Sequence, residues 1–64
     1  MDSLNVMNEH QAGWLSVILY QRWTGSYAVA KYDNKHRRFV GTITVCTGGI
    51  WHANREFNKM VAAL

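Results

Sequence analysis

The chain has no proline, one cysteine and only four carboxylates. A lone thiol, Cys46, cannot close an intrachain disulfide. That excludes the disulfide-stapled class of small secreted domains and points to a reducing, cytoplasmic compartment. The carboxylates Asp2, Glu9, Asp33 and Glu56 are scattered, and no two form a pair suited to acid–base work. Long apolar runs are missing as well. The longest, Val17-Ile18-Leu19-Tyr20, falls far short of the ~20 residues of a membrane span, so no membrane partner is expected. The opening Met1-Asp2-Ser3-Leu4-Asn5-Val6 lacks the basic and apolar blocks of a signal peptide. Ligand pairs of the C-x₂₋₄-C or H-x₃₋₅-H kind do not occur: Cys46 and His52 stand six positions apart, and His10 and His36 lie elsewhere. Neither a metal nor another cofactor is expected.

What is present is apolar, aromatic and basic. The 64 residues form one domain, 1–64. A chain this short buries only ~60% of the surface its unfolded form exposes, and its net stability without staples is about 3–5 kcal/mol. Hydrophobic residues make up 48% of it, too many for a disordered segment. Three Trp and three Tyr are a heavy load for this length, and part of that load is expected to close the interior. Seven Lys and Arg give a net charge of +3 and a pI of about 9.4. This balance favours nucleic acid, a nucleoprotein or a protein complex with an acidic surface as partner.

Residues 1–13 admit two readings. Leu4, Met7 and His10 or Gln11 line one face of a short helix capped by Asp2 or Ser3 and stopped at Gly13. Alternatively, Leu4 and Val6 alternate with polar residues as in a short edge strand. The first residues are expected to be loose. Trp14–Trp23 has strand composition, with Leu15, Val17 and Leu19 on a core face and Trp14, Ser16, Ile18, Tyr20 and Arg22 on a mixed, solvated face. Thr24-Gly25-Ser26 is a tight turn in which Gly25 is free to take positive φ. Tyr27–Tyr32 pairs back. Its alternation leaves two options: either Tyr27, Val29 and Lys31 share the solvated face, or Ala28 and Ala30 do. Inward-pointing alanines are expected, because small residues let a helix approach a sheet closely. Asp33-Asn34-Lys35-His36-Arg37 is a polar connection with Asx-turn chemistry. Arg38–Cys46 is a further strand, with Ile43 and Val45 expected in the core. After Thr47-Gly48-Gly49 the period changes. Ile50, Ala53, Phe57, Met60, Val61 and Leu64 recur at spacings of three and four, which is one face of a helix. His52, Arg55, Glu56, Asn58 and Lys59 fill the other face, and no proline interrupts. The sum is an α+β fold: a three-stranded antiparallel sheet with a C-terminal helix packed on one face, open to one extra short N-terminal element.

Cys46 precedes a glycine pair and a helix N-terminus, where a thiolate would be stabilised. A chain this small has little room for a substrate pocket of several hundred cubic ångströms, so a structural cysteine and no catalytic residue are expected. Thr47-Gly48-Gly49 lacks the full Gly-x-x-x-x-Gly-Lys pattern of a phosphate loop and reads as a plain connection. The basic hairpin is the best functional candidate. Lys31, Lys35, Arg37 and Arg38 lie in or beside one turn, with Trp23, Tyr27, Tyr32 and Phe39 around it. Lys and Arg contact phosphates, while aromatics stack on bases or anchor protein interfaces. The expected binding residues are Arg22, Lys31, Lys35, Arg37 and Arg38, with Tyr27 as the aromatic.

The run Gly25-x-Tyr27-x-Val29-x-Lys31, followed by Gly41-x-Ile43 and a helix, resembles the three-strand-plus-helix pattern of AP2-type and integrase arm-binding DNA domains over residues 22–64. The resemblance implies a sheet that enters the major groove. The Thr-x-Glu-Glu-Ala that opens the helix in that family is absent, and Thr47-Gly48-Gly49-Ile50-Trp51 stands there instead. Two functions are therefore expected. The first is a non-catalytic domain that binds nucleic acid, or a nucleic-acid-handling complex, through its sheet face and basic turn. The second is a stoichiometric protein-binding inhibitor or adaptor, of the kind a phage or mobile element carries, with exposed Trp and Tyr as anchors.

Overall fold

The computed structural model describes residues 5–64. Four strands, β1 (Asn5–Ala12), β2 (Leu15–Gln21), β3 (Tyr27–Asp33) and β4 (Arg38–Cys46), are followed by one helix, α1 (Gly49–Ala62). The strands form an antiparallel meander in the order β1-β2-β3-β4. The class is the expected α+β with a C-terminal helix on the sheet, but the sheet has four strands rather than three. The N-terminal segment is an edge strand, not a helix. Its polar sequence has little strand propensity of its own, and pairing along β2 from Asn5↔Gln21 to Ala12↔Leu15 supplies its order. The proposed caps Asp2 and Ser3, together with Leu4, lie outside the described residues.

Register decides which side chains meet α1. Val17 and Leu19 of β2, Val29 of β3 and Cys46 of β4 pack with Ala53 and Phe57 of the helix, and Tyr27, Ile50, Met60 and Val61 close the margins. Of the expected core positions, Val17 and Leu19 of β2 and Ile50, Ala53, Phe57, Met60 and Val61 of the helix are met, whereas Leu15 is only half-buried at the strand end and Leu64 lies beyond α1 and is exposed. Three expectations fail. The second face of β2 is not solvated: Ser16, Ile18 and Tyr20 are all buried, because side chains of β3 and β4 close over them. Ala28 and Ala30 do not lie under the helix. Leu19 pairs with Val29, so Val29 takes the helix side, and the alanines fall opposite Tyr20 and Ile18 on the other face. There they are buried in a second cluster with Ile18, Tyr20 and Tyr32. Ile43 and Val45 are not core either, being 41% and 46% exposed. Val45 pairs with Ala28, on the helix-free face, and the helix side of β4 goes to Thr44 and Cys46. Cys46 serves as a small buried hydrophobe.

An irregularity in β4 separates its two halves. Val29 faces Thr44 and Lys31 faces Val40, so residues 41–43 all oppose Ala30. Gly41 adopts φ +74 at this bulge, a conformation that glycine reaches without steric cost. Because the bulge adds an even number of residues, the faces of β4 are the same on both sides of it.

Candidate functional site

A meander places alternate turns at opposite ends of the sheet. The β1–β2 turn (Gly13, Trp14) and the β3–β4 turn (34–37) share one end. The β2–β3 turn (22–26) lies at the other, where β4 hands the chain to α1. The basic turn is thus held beside Trp14, a residue 21 positions away from Lys35 in sequence.

Hydrogen bonds staple the two turns together. The Asn34 backbone N–H donates to the Trp14 carbonyl at 2.8 Å, and Asn34 Nδ2 donates to Oγ of the buried Ser16 at 2.8 Å. The Asp33 side chain organises the turn itself. Its Oδ1 accepts from the backbone N–H groups of Lys35 (2.9 Å) and His36 (3.0 Å), while Oδ2 lies 2.7 Å from His36 Nδ1. This is the Asx geometry that the residue type foretells. It leaves Arg37 in the left-handed region at φ 54. The ring of His36 meets Trp14 edge-on at 6.2 Å between centroids, and Lys35 Nζ lies 5.8 Å from the Trp14 centroid, within cation–π range.

Asp33 is the one buried acid among these cations. Burial alone would raise its pKa. The His36 side chain, the two backbone N–H groups and the charge of His36 outweigh it and hold the carboxyl below its ordinary value of 3.8. A folded-state pKa lower than the unfolded one means that the unfolded chain binds the proton more readily in that interval. The carboxylate therefore contributes its full stability above about pH 3.8 and loses it as pH falls through the lower folded value. In urea melts, Asp33→Asn is expected to be less stable than wild type at neutral pH, with the difference shrinking below pH 3.8. A difference that grows on acidification would contradict this role.

The sequence-predicted residues divide into two groups. Lys31, Lys35, Arg37 and Arg38 belong to the basic end. Arg22 and Tyr27 stand at the opposite end, six residues along β3, or about 20 Å away. Arg22 helps close the β2–β3 turn, where its N–H donates to the Ser26 carbonyl at 2.7 Å and its own carbonyl accepts from Gly25. Tyr27 pairs with Cys46 and packs against the helix-side core. Trp14, Asn34 and Ser16 complete the basic end, although none is itself a cation or lies among the expected binding residues. Only the Asp33–Lys35 spacing carries a local signal for its geometry.

The helix-free face of the sheet has a different character. Its register positions are Val6, Glu9 and Gln11 on β1, Ser16, Ile18 and Tyr20 on β2, Ala28, Ala30 and Tyr32 on β3, and Phe39, Ile43 and Val45 on β4. None is Lys or Arg. Lys31 and Arg38 fall on the helix side by the same register. The three tryptophans are all on the surface: Trp14 is 53% exposed, Trp23 93% and Trp51 83%. The interior is closed by aliphatic side chains, Phe57 and the tyrosines.

Cys46 is fully buried. Burial pushes its thiol pKa up, and the Glu56 carboxylate pushes it further, so the helix N-terminus does not yield a thiolate at neutral pH. Among the described residues, no three His, Cys, Asp or Glu side chains are grouped to hold a metal ion, and no helix is long and apolar enough to cross a membrane. No family model, curated protein or solved structure matches this chain.

Proposed function

We propose that this chain is a non-catalytic binding protein that engages nucleic acid, or a nucleic-acid-handling complex, through the basic end of its sheet. The observation that carries the reading is a hydrogen-bonded pair of turns that sets Lys35 over the half-exposed ring of Trp14, in the same turn as Arg37 and next to Arg38. Cations on a fixed turn neutralise phosphates, and a neighbouring aromatic offers a stacking surface for a base. The cationic turn, rather than the charge-poor free face, is where an anionic backbone would sit. Binding is therefore to phosphates first, and it is weakly dependent on sequence.

A second reading has its own support. Trp23 and Trp51, in the β2–β3 turn and the first turn of α1, leave most of their surface in water at the end opposite the basic turn. Exposed tryptophans serve as anchors in protein interfaces, which suits an inhibitor or adaptor. Titration of fluorescent single- and double-stranded oligonucleotides with the wild-type protein at low salt separates the two. The nucleic-acid reading expects saturable binding to unrelated sequences that weakens steeply as salt is added. No binding even at low salt, where the electrostatic attraction is strongest, would overturn it in favour of the protein partner.

A further inference from the structure

The helix covers one face of the sheet only, yet both faces are apolar. Every residue from Ser16 to Tyr20 on β2 is buried, and so are three consecutive residues of β3, Ala28 to Ala30. Continuous burial along a strand is the pattern of a sheet covered on both sides. Here the second cluster of Ile18, Tyr20, Ala28 and Ala30 has no layer of secondary structure over it among the described residues. Its cover is a set of side chains from the sheet itself. Phe39 lies 6.4 Å from Tyr20 and 5.2 Å from Tyr32 between ring centroids. Around that aromatic group Val6, Phe39, Ile43 and Val45 remain 38–46% exposed on the same face.

We infer that the missing layer is a second copy of this chain, packed sheet face to sheet face across a two-fold axis. Charge argues for a copy. The protein carries +3, and two such molecules repel wherever their cations meet. Among the described residues, every Lys and Arg lies in a turn, on α1 or on the helix side of β3 and β4, and Glu9 is the one charged residue in the register of the free face. Two copies can therefore meet on this face without bringing like charges together, apart from Glu9 at its outer strand. An acidic partner, by contrast, would find no cation there to steer it.

Size argues the same way. The molecule is a slab of 31 × 30 × 17 Å. The short axis is that of one helix on one sheet, and an ellipse with the broad outline covers roughly 700 Å², close to the ~800 Å² that each partner contributes to a standard interface. An interface of about that size suits a reversible dimer, present at high protein concentration and dissociated on dilution. Two sheets packed about 10 Å apart would turn the second cluster into the centre of a sandwich.

Sedimentation equilibrium over a roughly hundredfold range of concentration tests this. The wild-type mass is expected to rise from 7.4 kDa toward twice that value. Ile43→Lys and Val45→Lys change half-exposed side chains, and each is expected to weaken self-association at least ~30-fold while the monomer still melts cooperatively. Trp51→Ala, on the helix, is expected to leave the dimer unchanged. A wild-type protein that stays at 7.4 kDa throughout would overturn the inference. A dimer that survives both lysine variants, or is lost in Trp51→Ala, would overturn it as well. Should either lysine variant unfold, the wild-type melting temperature decides: a rise with protein concentration supports the dimer, and independence from it refutes it.

Discussion

Phe57→Ala is expected to cost about 3–5 kcal/mol, which is the whole net stability of a domain this small. Phe57 is one of only two buried residues of α1, and it touches the cluster of Val17, Leu19, Val29 and Cys46 on the sheet. The other, Ala53, is too small to fill the space that the ring vacates. The variant is therefore predicted to be largely unfolded at room temperature. Lys59 is the control on the opposite side of the helix. Its side chain is 69% exposed, and its 3.3 Å ion pair with Glu56 is the surface kind that contributes little. Lys59→Ala should stay within about 0.5 kcal/mol of wild type in urea melts. Equal, small losses for both would mean that the helix presents a different face to the sheet.

The largest effect on binding is expected from the combined variant Lys35→Ala, Arg37→Ala, Arg38→Ala. The three side chains are exposed, and the turn is held by the Asp33 carboxylate through backbone N–H groups that alanine retains, so the fold should persist. Each phosphate that the protein no longer neutralises takes about 0.9 off the slope of log affinity against log salt. Removing three cations should flatten the slope by nearly 3 units and lower affinity at ~0.1 M salt by roughly two orders of magnitude, for all sequences alike. For a protein partner the outcome differs: association slows, the salt slope changes modestly, and truncation of Trp23 or Trp51 raises the dissociation rate. An unchanged oligonucleotide slope in a folded triple variant would remove the basic turn from the binding site.

How much of this is legible in the chain depends on how local each signal is. The spacing of Ile50, Ala53, Phe57, Met60 and Val61 is a property of the helix alone, and it places the buried face correctly. The aliphatic set Val17 and Leu19 is equally plain. The sequence of β3 is ambiguous because both faces of the sheet are apolar at its centre. Ala-Val-Ala shows no alternation of polarity, and only pairing with Leu19 decides that Val29 takes the helix side. In β4 both faces again carry apolar residues, and the rule that larger aliphatics go inward fails because Cys46 occupies the helix side. The cationic turn is readable as a cluster of residue types, as is its Asx chemistry. The part played by Trp14 is not, because it joins the turn through the meander, in the bonds from Asn34 to Trp14 and Ser16. The same meander carries Arg22 and Tyr27 to the far end of the sheet.

The proposed ligand site lies at one end of the sheet, where the β1–β2 and β3–β4 turns meet. Titration of the isotope-labelled protein with a short oligonucleotide, followed by amide chemical shifts, tests that placement residue by residue. The predicted perturbations are concentrated at residues 13–16 and 31–38, with the Trp14 indole N–H among the largest. Little change is expected at Trp23, Trp51 or the helix. Shifts centred on Trp23 and Trp51, or on Val6, Ile43 and Val45 of the helix-free face, would contradict it.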